Sequence, residues 1–501
     1  MKKILLSLII LVGLSGCSEN YLDRTPTDAV SINYANSTAN TAKVYLNGVY
    51  KYFYKYAPDG TSQHDNNGMI TRLIYDDALG LDLIISANWY SSIYLFQESR
   101  RRENNNSAKY NWNWAYQIIK DANTLIASSV ANEGSDPEWT EIAGQAFALR
   151  AFGYYQLCNL YQKHYRVGKN LPGFPLMLEA PISGSDMEYK PRGVLDDVYT
   201  QMVKDCKEAI GRLTSSRDGV GYINQNVAQG LLARIYTDMA YVDNTLWDEV
   251  ITLAQDARAG FSLMTEAQFQ SGFNTPTVEW MWGMMNDQQG ATAYPAFFSF
   301  YDLDREYGYQ NFRVDPVFMA LFDADDCRGE LFKDTYSGMG LIPNPELRYR
   351  TTKFRDITNH VGSLPLMRAA EMYLLEAEAH ANKGDNPTAQ SLVDDVRAAR
   401  ITGYIPAVAP AAKDDMLELI WVERRKELFG EGFALKDILR FGWFVNGAKA
   451  TRGSAHTSGL GITVVPYNSP APVDNDYRYI FQIPEKELQN NPYINEGDQN
   501  P

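Results

Sequence analysis

Residues Met372–Arg400 read MYLLEAEAHANKGDNPTAQSLVDDVRAAR. The first half is an Ala-rich helix that ends at Gly384-Asp385. A second helix starts at Pro387, a favoured first-turn residue, and turns Ala389, Leu392, Val393 and Val396 inward at helical spacing. Small residues at Ala377 and Ala381 let the paired helices approach closely. Residues Gly230–Ala257, GLLARIYTDMAYVDNTLWDEVITLAQDA, repeat this helix–turn–helix pattern with a slightly longer turn.

Both stretches resemble a tetratricopeptide repeat, and neither carries the full consensus. The expected fold class is therefore mainly α: a tetratricopeptide-like α-solenoid scaffold, imperfect rather than regular, with long loop-rich insertions and minor β. The same periodicity predicts helices over 42–53, where Leu46, Val49, Tyr50 and Phe53 share a face, and over 112–128, 138–162, 194–213, 226–240, 245–259, 364–383, 387–400 and 414–429. The helical scaffold occupies about 38–260 and 364–440. Between them, about 261–363, lies an insertion rich in aromatics, Gly, Pro and Asn, where VEWMWGMMN (278–286) alternates like a strand. Residues 60–110 and the tail from 441 share that loop-like composition. No flexible linker separates the blocks, so 17–501 is expected to form a single domain.

The first residues, MKKILLSLIILVGLSGC, place two lysines before a short apolar run and small residues before Cys17. The run is too short to span a bilayer, which takes about 20 apolar residues, and has the layout of a secretory signal. Leu14–Cys17 resembles a lipobox, so 1–16 is expected to be a lipoprotein signal peptide and Cys17 the lipidated new N-terminus. Attachment through several acyl chains holds a protein stably at a membrane. Removing 1–16 leaves 44 basic against 61 acidic residues, a net charge of −17. Such a surface repels nucleic acid. The remaining cysteines, Cys158, Cys206 and Cys327, sit in apolar or helical surroundings and form no disulfide framework.

Catalytic templates are absent: there is no Gly-x-Ser-x-Gly, His-Glu-x-x-His, Cys-x-x-Cys or phosphate loop, and the five histidines are scattered. DLDREYG (302–308) only faintly resembles a calcium loop, so no metal and no cofactor is expected. The chemistry that does stand out is aromatic. Tyrosines (33) outnumber phenylalanines (21), which tilts the aromatics toward surfaces that touch water. Sugar recognition needs such flat, rigid faces against a pyranose ring, with Asn, Asp, Gln and Arg for the hydroxyls. In SANWYSS (86–92), Asn88, Trp89 and Tyr90 lie in a polar loop outside any helix pattern. Tyr294, Phe298, Tyr307 and Tyr309 in the insertion are further stacking candidates, with core packing the competing role. Asp65, Asn66, Asn67 and Arg72 are candidate hydroxyl partners, with a polar loop tip as the competing role. Trp112 and Tyr116, four apart on one helix face, are expected in the core, as are Trp280 and Trp282. Glu423, Arg424, Arg425 and Glu427, with Glu431 and Arg440 nearby, are expected to form an ion-pair network, Arg424 beside Glu427.

Several stretches resemble the SusD/RagB family of Bacteroidota outer-membrane lipoproteins. They are YLDRTP (21–26), WNWAYQIIKDAN (112–123), GQAFALRAFGYYQLCNLY (144–161), LMRAAEMYLLEAEAHANKGD (366–385), ERRKELFGEGFALKDILRFG (423–442) and FQIPEKELQNNPYI (481–494). They run in the family's order along nearly the whole chain. The chain departs where Ala434 stands in place of a common Arg. The resemblance implies a non-catalytic, cell-surface glycan-binding lipoprotein of the outer membrane. It would capture an oligosaccharide and deliver it to a SusC-like TonB-dependent transporter, with four tetratricopeptide-like units supporting a loop-rich ligand face. Capture of peptides by the same kind of system, and an exported glycoside hydrolase, are the alternative readings.

Overall fold

A computed structural model of the chain describes residues 37–58, 61, 64–86, 98–181, 188–286, 295–302, 309–333, 348–356, 361–441 and 477–501. The signal segment and Cys17 lie outside them. Helix dominates, and the described strands pair into small two-stranded antiparallel sheets.

Helix α1 (Ala39–Tyr52) starts where the Thr38 side chain accepts from the Thr41 N–H. Helix α2 (Gly68–Ala78) and strand β1 (Leu83–Ile85) follow. Helices α3 (Asn106–Asn132) and α4 (Pro137–Tyr161) are the two long rods of the scaffold. Asp136 caps α4 and Pro137 occupies its first turn, as the sequence implied. A Cβ at Gly153 of α4 would lie 2.8 Å from Ile119 Cγ1, so glycine there lets α4 close on α3. Strands β2 (Pro172–Pro175) and β3 (Arg192–Val194) pair ahead of helices α5 (Leu195–Arg212), α6 (Gln225–Ala240) and α7 (Trp247–Arg258). Next come strand β4 (Trp280–Met284), helix α8 (Phe297–Tyr301), strands β5 (Phe312–Val314) and β6 (Leu364–Arg368), and helices α9 (Ala369–Asn382) and α10 (Asn386–Ala398). Helices α11 (Lys413–Leu428), α12 (Ala434–Phe441) and α13 (Glu485–Asn490) complete the chain. Helix packs on helix in relay: α3 on α4, α4 on α5, α5 on α6, α6 on α7, α7 on α9, and α9 on both α10 and α11. This is the solenoid-like order expected from the repeats. One buried apolar cluster runs from Ala39 in α1 to Ile483 in the tail.

Two expectations are corrected. The helix expected over 364–383 begins only at Ala369, because Leu364–Arg368 pairs as β6 with β4. Pro365 disfavours helix for the residue before it and withholds a donor, which leaves those residues free to pair. Within the stretch expected as loop over 60–110, Gly68–Ala78 is a helix with every residue buried. Met69, Ile70, Leu73 and Ile74 do keep helical spacing, but the stretch is short and set in loop-like composition, and its polar side, Arg72, Asp76 and Asp77, is buried too. Trp280 and Trp282 are in the core as expected, each 1 % exposed.

The acidic and basic side chains around β6 and α11 form a buried knot. Arg368 of β6 bonds Glu427 (3.0 Å), Glu431 (2.7 Å) and Glu279. Arg400 bonds Glu427 (2.9 Å) and Glu279 (2.8 Å). Arg328 reaches Glu423 (2.6 Å) and Glu427 (3.1 Å), and Lys353 reaches Glu431 (2.7 Å). The network expected around Glu423–Glu427 exists, but its pairing differs. Arg424 turns away from Glu427 to Asp437 (2.8 Å), and Arg425 bonds Asp82 (2.5 Å). The carboxylates of α11 are instead met by arginines from the insertion, β6 and the end of α10.

Candidate functional site

Three stretches that carry the aromatic candidates each have one flank at a common patch. Ser86, at the end of β1, donates its backbone N–H to the Asn311 carbonyl (2.8 Å), beside the pairing of Ile85 with Phe312. Asn67 donates its side-chain amide to the Pro295 carbonyl (2.6 Å). Tyr309 Oη lies 3.0 Å from His64 Nε2, and their rings meet edge to face at 5.2 Å. Tyr309 also packs on Phe300 at 5.3 Å, and its N–H donates to Ser299 Oγ. Burial pushes the His64 pKa below its ordinary value, which favours the neutral ring. One flank of each of the segments 87–97, 287–294 and 303–308, at Ser86, Pro295 and Tyr309, is thus tied to Asn311 or to residues 64–67.

Asn88, Trp89, Tyr90, Tyr294 and Tyr307 fall on those segments and lie outside the described residues, as do Asp304 and Glu306. Of the described candidates, Tyr309 remains partly exposed on the patch, beside the partly exposed His64, which the sequence did not single out. Asp65, Arg72 and Phe298, named as candidate ligand contacts, are interior residues: Phe298 takes the competing core role, and Asp65 and Arg72 are buried rather than at a loop tip. Asp65 accepts from Ser107 Oγ (2.5 Å) and ties the patch to the start of α3. Arg72 donates to the Gly68 and Asn111 carbonyls (2.8 and 2.9 Å) and lies over the Trp114 ring at 3.8 Å. Burial pushes its pKa down to about 9. Phe298 is 1 % exposed in the apolar core. Asn66 and Asn67 are buried and hold the Thr61 and Pro295 carbonyls. These side chains are committed to building the patch itself.

A separate cleft of about 610 Å³ opens between α1, α3, β2 and the C-terminal tail. Trp112 and Tyr116 of α3 form its floor, rings 5.0 Å apart, and Tyr116 Oη donates to the Pro175 carbonyl (2.9 Å). Trp112 is buried, so its expected core role is met on one side while its other side borders the cleft. Tyr52 and Tyr189 line the opening. Asp121 accepts from Tyr45 Oη (2.7 Å) and Gln117 (2.9 Å), and Glu487 accepts from Asn491 (2.8 Å). Burial raises both carboxyls above their ordinary pKa values, against the pull of these hydrogen bonds. Sequence reasoning missed this cleft because its residues are scattered from Gly48 to Asn491. The one local signal was the row Asn113, Gln117, Lys120 and Asp121, polar at helical spacing opposite the buried face of α3.

Among the described residues, no group of three His, Cys, Asp or Glu side chains is arranged to hold a metal ion. No described helix is long and apolar enough to cross a membrane. A family model described as "SusD family" matches residues 330–501, and one described as "Starch-binding associating with outer membrane" matches 21–237. The chain is 26 % identical over 377 residues to SusD-like protein P38 of Formosa agariphila, covering 66 % of this chain and 71 % of that one. It resembles the crystal structure of a SusD-like carbohydrate binding protein from Bacteroides vulgatus with a TM-score of 0.77 and 28 % identity, covering 92 % of this chain and 98 % of that one. A structure titled laminarin binding SusD-like protein matches at a TM-score of 0.63 and 20 % identity, covering 92 % and 98 %. The helical relay, the ordered motifs from α3 to the tail and these likenesses together make the chain a member of the SusD/RagB family.

Proposed function

We propose that this protein is a cell-surface glycan-binding lipoprotein. Acylated at Cys17 and held at the outer membrane, residues 17–501 act as one domain that captures an oligosaccharide and delivers it to a SusC-like TonB-dependent transporter. It binds without catalysis, and it needs no cofactor. The observation that carries this reading is the cross-tied patch, where Ser86–Asn311, Asn67–Pro295 and His64–Tyr309 hold one flank of each of three aromatic segments. Trp89 and Tyr90, with Tyr294 and Tyr307, offer rings to pyranose faces, and Asn88 offers donors and acceptors to hydroxyls. A rigid scaffold presenting loops is the usual place for binding. Similarity to a carbohydrate-binding relative, and to a more distant laminarin-binding one, supports the ligand class.

The test is calorimetric titration of residues 18–501 against plant and host oligosaccharides, with Trp89→Ala in parallel. The expected result is saturable binding that weakens more than tenfold in the variant, about 1.4 kcal/mol. The absence of reducing-end release over hours separates a binder from a glycosidase. Failure to bind across the panel, with binding of peptides instead, would overturn the glycan reading.

A further inference from the structure

We propose that the cleft between α3, β2 and the C-terminal tail is a second saccharide site, which takes a short neutral sugar segment independently of the loop patch. Its volume of about 610 Å³ falls in the range of small-molecule sites, about 300–1,000 Å³. It combines the two things sugar recognition needs. Tyr189, 37 % exposed at the rim, offers a flat face to solvent above the Trp112–Tyr116 floor. Along α3, Asn113, Gln117 and Asp121 stand one turn apart and make a polar row about 12 Å long.

That row has capacity to spare. Both hydrogen bonds to Asp121 arrive at Oδ1, so Oδ2 is open to a hydroxyl donor. Asn113 is exposed and offers both an amide donor and a carbonyl acceptor. The charges in the cleft argue for a neutral ligand. Lys120 and Lys190 face Asp121, Glu188 and Glu487, and Lys190 already sits 3.9 Å from Glu188. Burial further disfavours the charged forms of Asp121 and Glu487. Two ammonium groups against three carboxyls, two of them with their charged forms disfavoured by burial, leave at most one charge of surplus and no strong field for an anion or a cation. An uncharged polyhydroxyl chain, apolar on its ring faces and hydrogen-bonding at its edges, matches what remains.

The cleft has its own reporter in Trp112. The experiment labels residues 18–501 with 5-fluorotryptophan, assigns the Trp112 ¹⁹F resonance by its loss in Trp112→Phe, and titrates with laminarihexaose and maltohexaose as β- and α-linked probes. The expected result is a saturable shift of the Trp112 signal with at least one probe. Tyr189→Ala combined with Asn113→Ala, both at exposed positions that the core does not use, should weaken that titration at least tenfold. Trp89→Ala should leave it unchanged. No shift at Trp112 with either probe at millimolar concentration would overturn the proposal. So would a shift abolished by Trp89→Ala and indifferent to Tyr189→Ala with Asn113→Ala. Because Trp112 reports the cleft and Trp89→Ala reports the patch, either site can fail while the other stands.

Discussion

The knot around Glu427 and the cleft around Glu487 both bury carboxyl groups, and they treat them in opposite ways. Burial alone would raise Glu427, but Arg400, Arg368 and Arg328 overcome it and hold its carboxyl well below the ordinary range. Burial would likewise raise Glu431 and Glu423, and their basic partners lower both. At Glu487 burial wins, since only the Asn491 amide and Trp112 indole oppose it, and its pKa rises. The same carboxyl chemistry is therefore spent on structure in one place and left adaptable in the other. What decides is the count of facing guanidinium groups, because a neutral hydrogen bond offsets far less desolvation than an opposite charge. Removing one partner from a paired buried charge is costly because the other is left uncompensated.

The sharpest test makes one chemical change in both places. Glu427→Gln should destabilise the fold by about 3–5 kcal/mol in chemical denaturation, since three arginines lose their shared counter-charge. Gly430→Ala should come next, at roughly 1–3 kcal/mol. Gly430 has φ +77° in the turn that returns Glu431 to the knot, and a Cβ there would stand 2.1 Å from Phe354. Denaturation midpoints measured against pH separate the two regions further. The knot carboxyls have lowered folded pKa values, so their stabilisation is present above the ordinary value of 4.5 and is lost as pH falls through the folded values. Glu487 has a raised folded pKa, so its contribution is full below 4.5 and is lost as pH rises through the folded value. Glu487→Gln should therefore gain slightly on the parent as pH rises above 4.5. Its effect at neutral pH should stay within about 0.5 kcal/mol. Equal losses from Glu427→Gln and Glu487→Gln would break the comparison.

The patch and the knot also differ in how far they could be read from residue order. Helices such as α3, α5, α7 and α10 were legible because each writes its buried face at spacings of three and four, close in sequence. The existence of a charge network near Glu423 was legible for the same reason. Its wiring was not: Arg424 finds Asp437 and Glu427 finds Arg368, choices made by how α12 and β6 pack on α11. Asp65 and Arg72 read as polar loop residues, yet they are buried, because the ring of Trp114 and the hydroxyl of Ser107 on α3 supply their partners.

By itself, then, the sequence determined the class of the molecule: a helical relay built from local periodicity, its acidic charge, and the ordered motifs that place it among SusD/RagB proteins. Only the tertiary structure decided which polar groups are spent. It tied residues 64–67, 86, 295 and 309–311 into one patch, turned Leu364–Arg368 from helix to strand by pairing it with β4, and assembled a cleft from α1, α3, β2 and the tail. The physical reason is range. Helix periodicity is set by neighbours three and four residues away, whereas the burial and partners of a charge or a ring depend on elements that may lie hundreds of residues apart and meet only when the chain has folded.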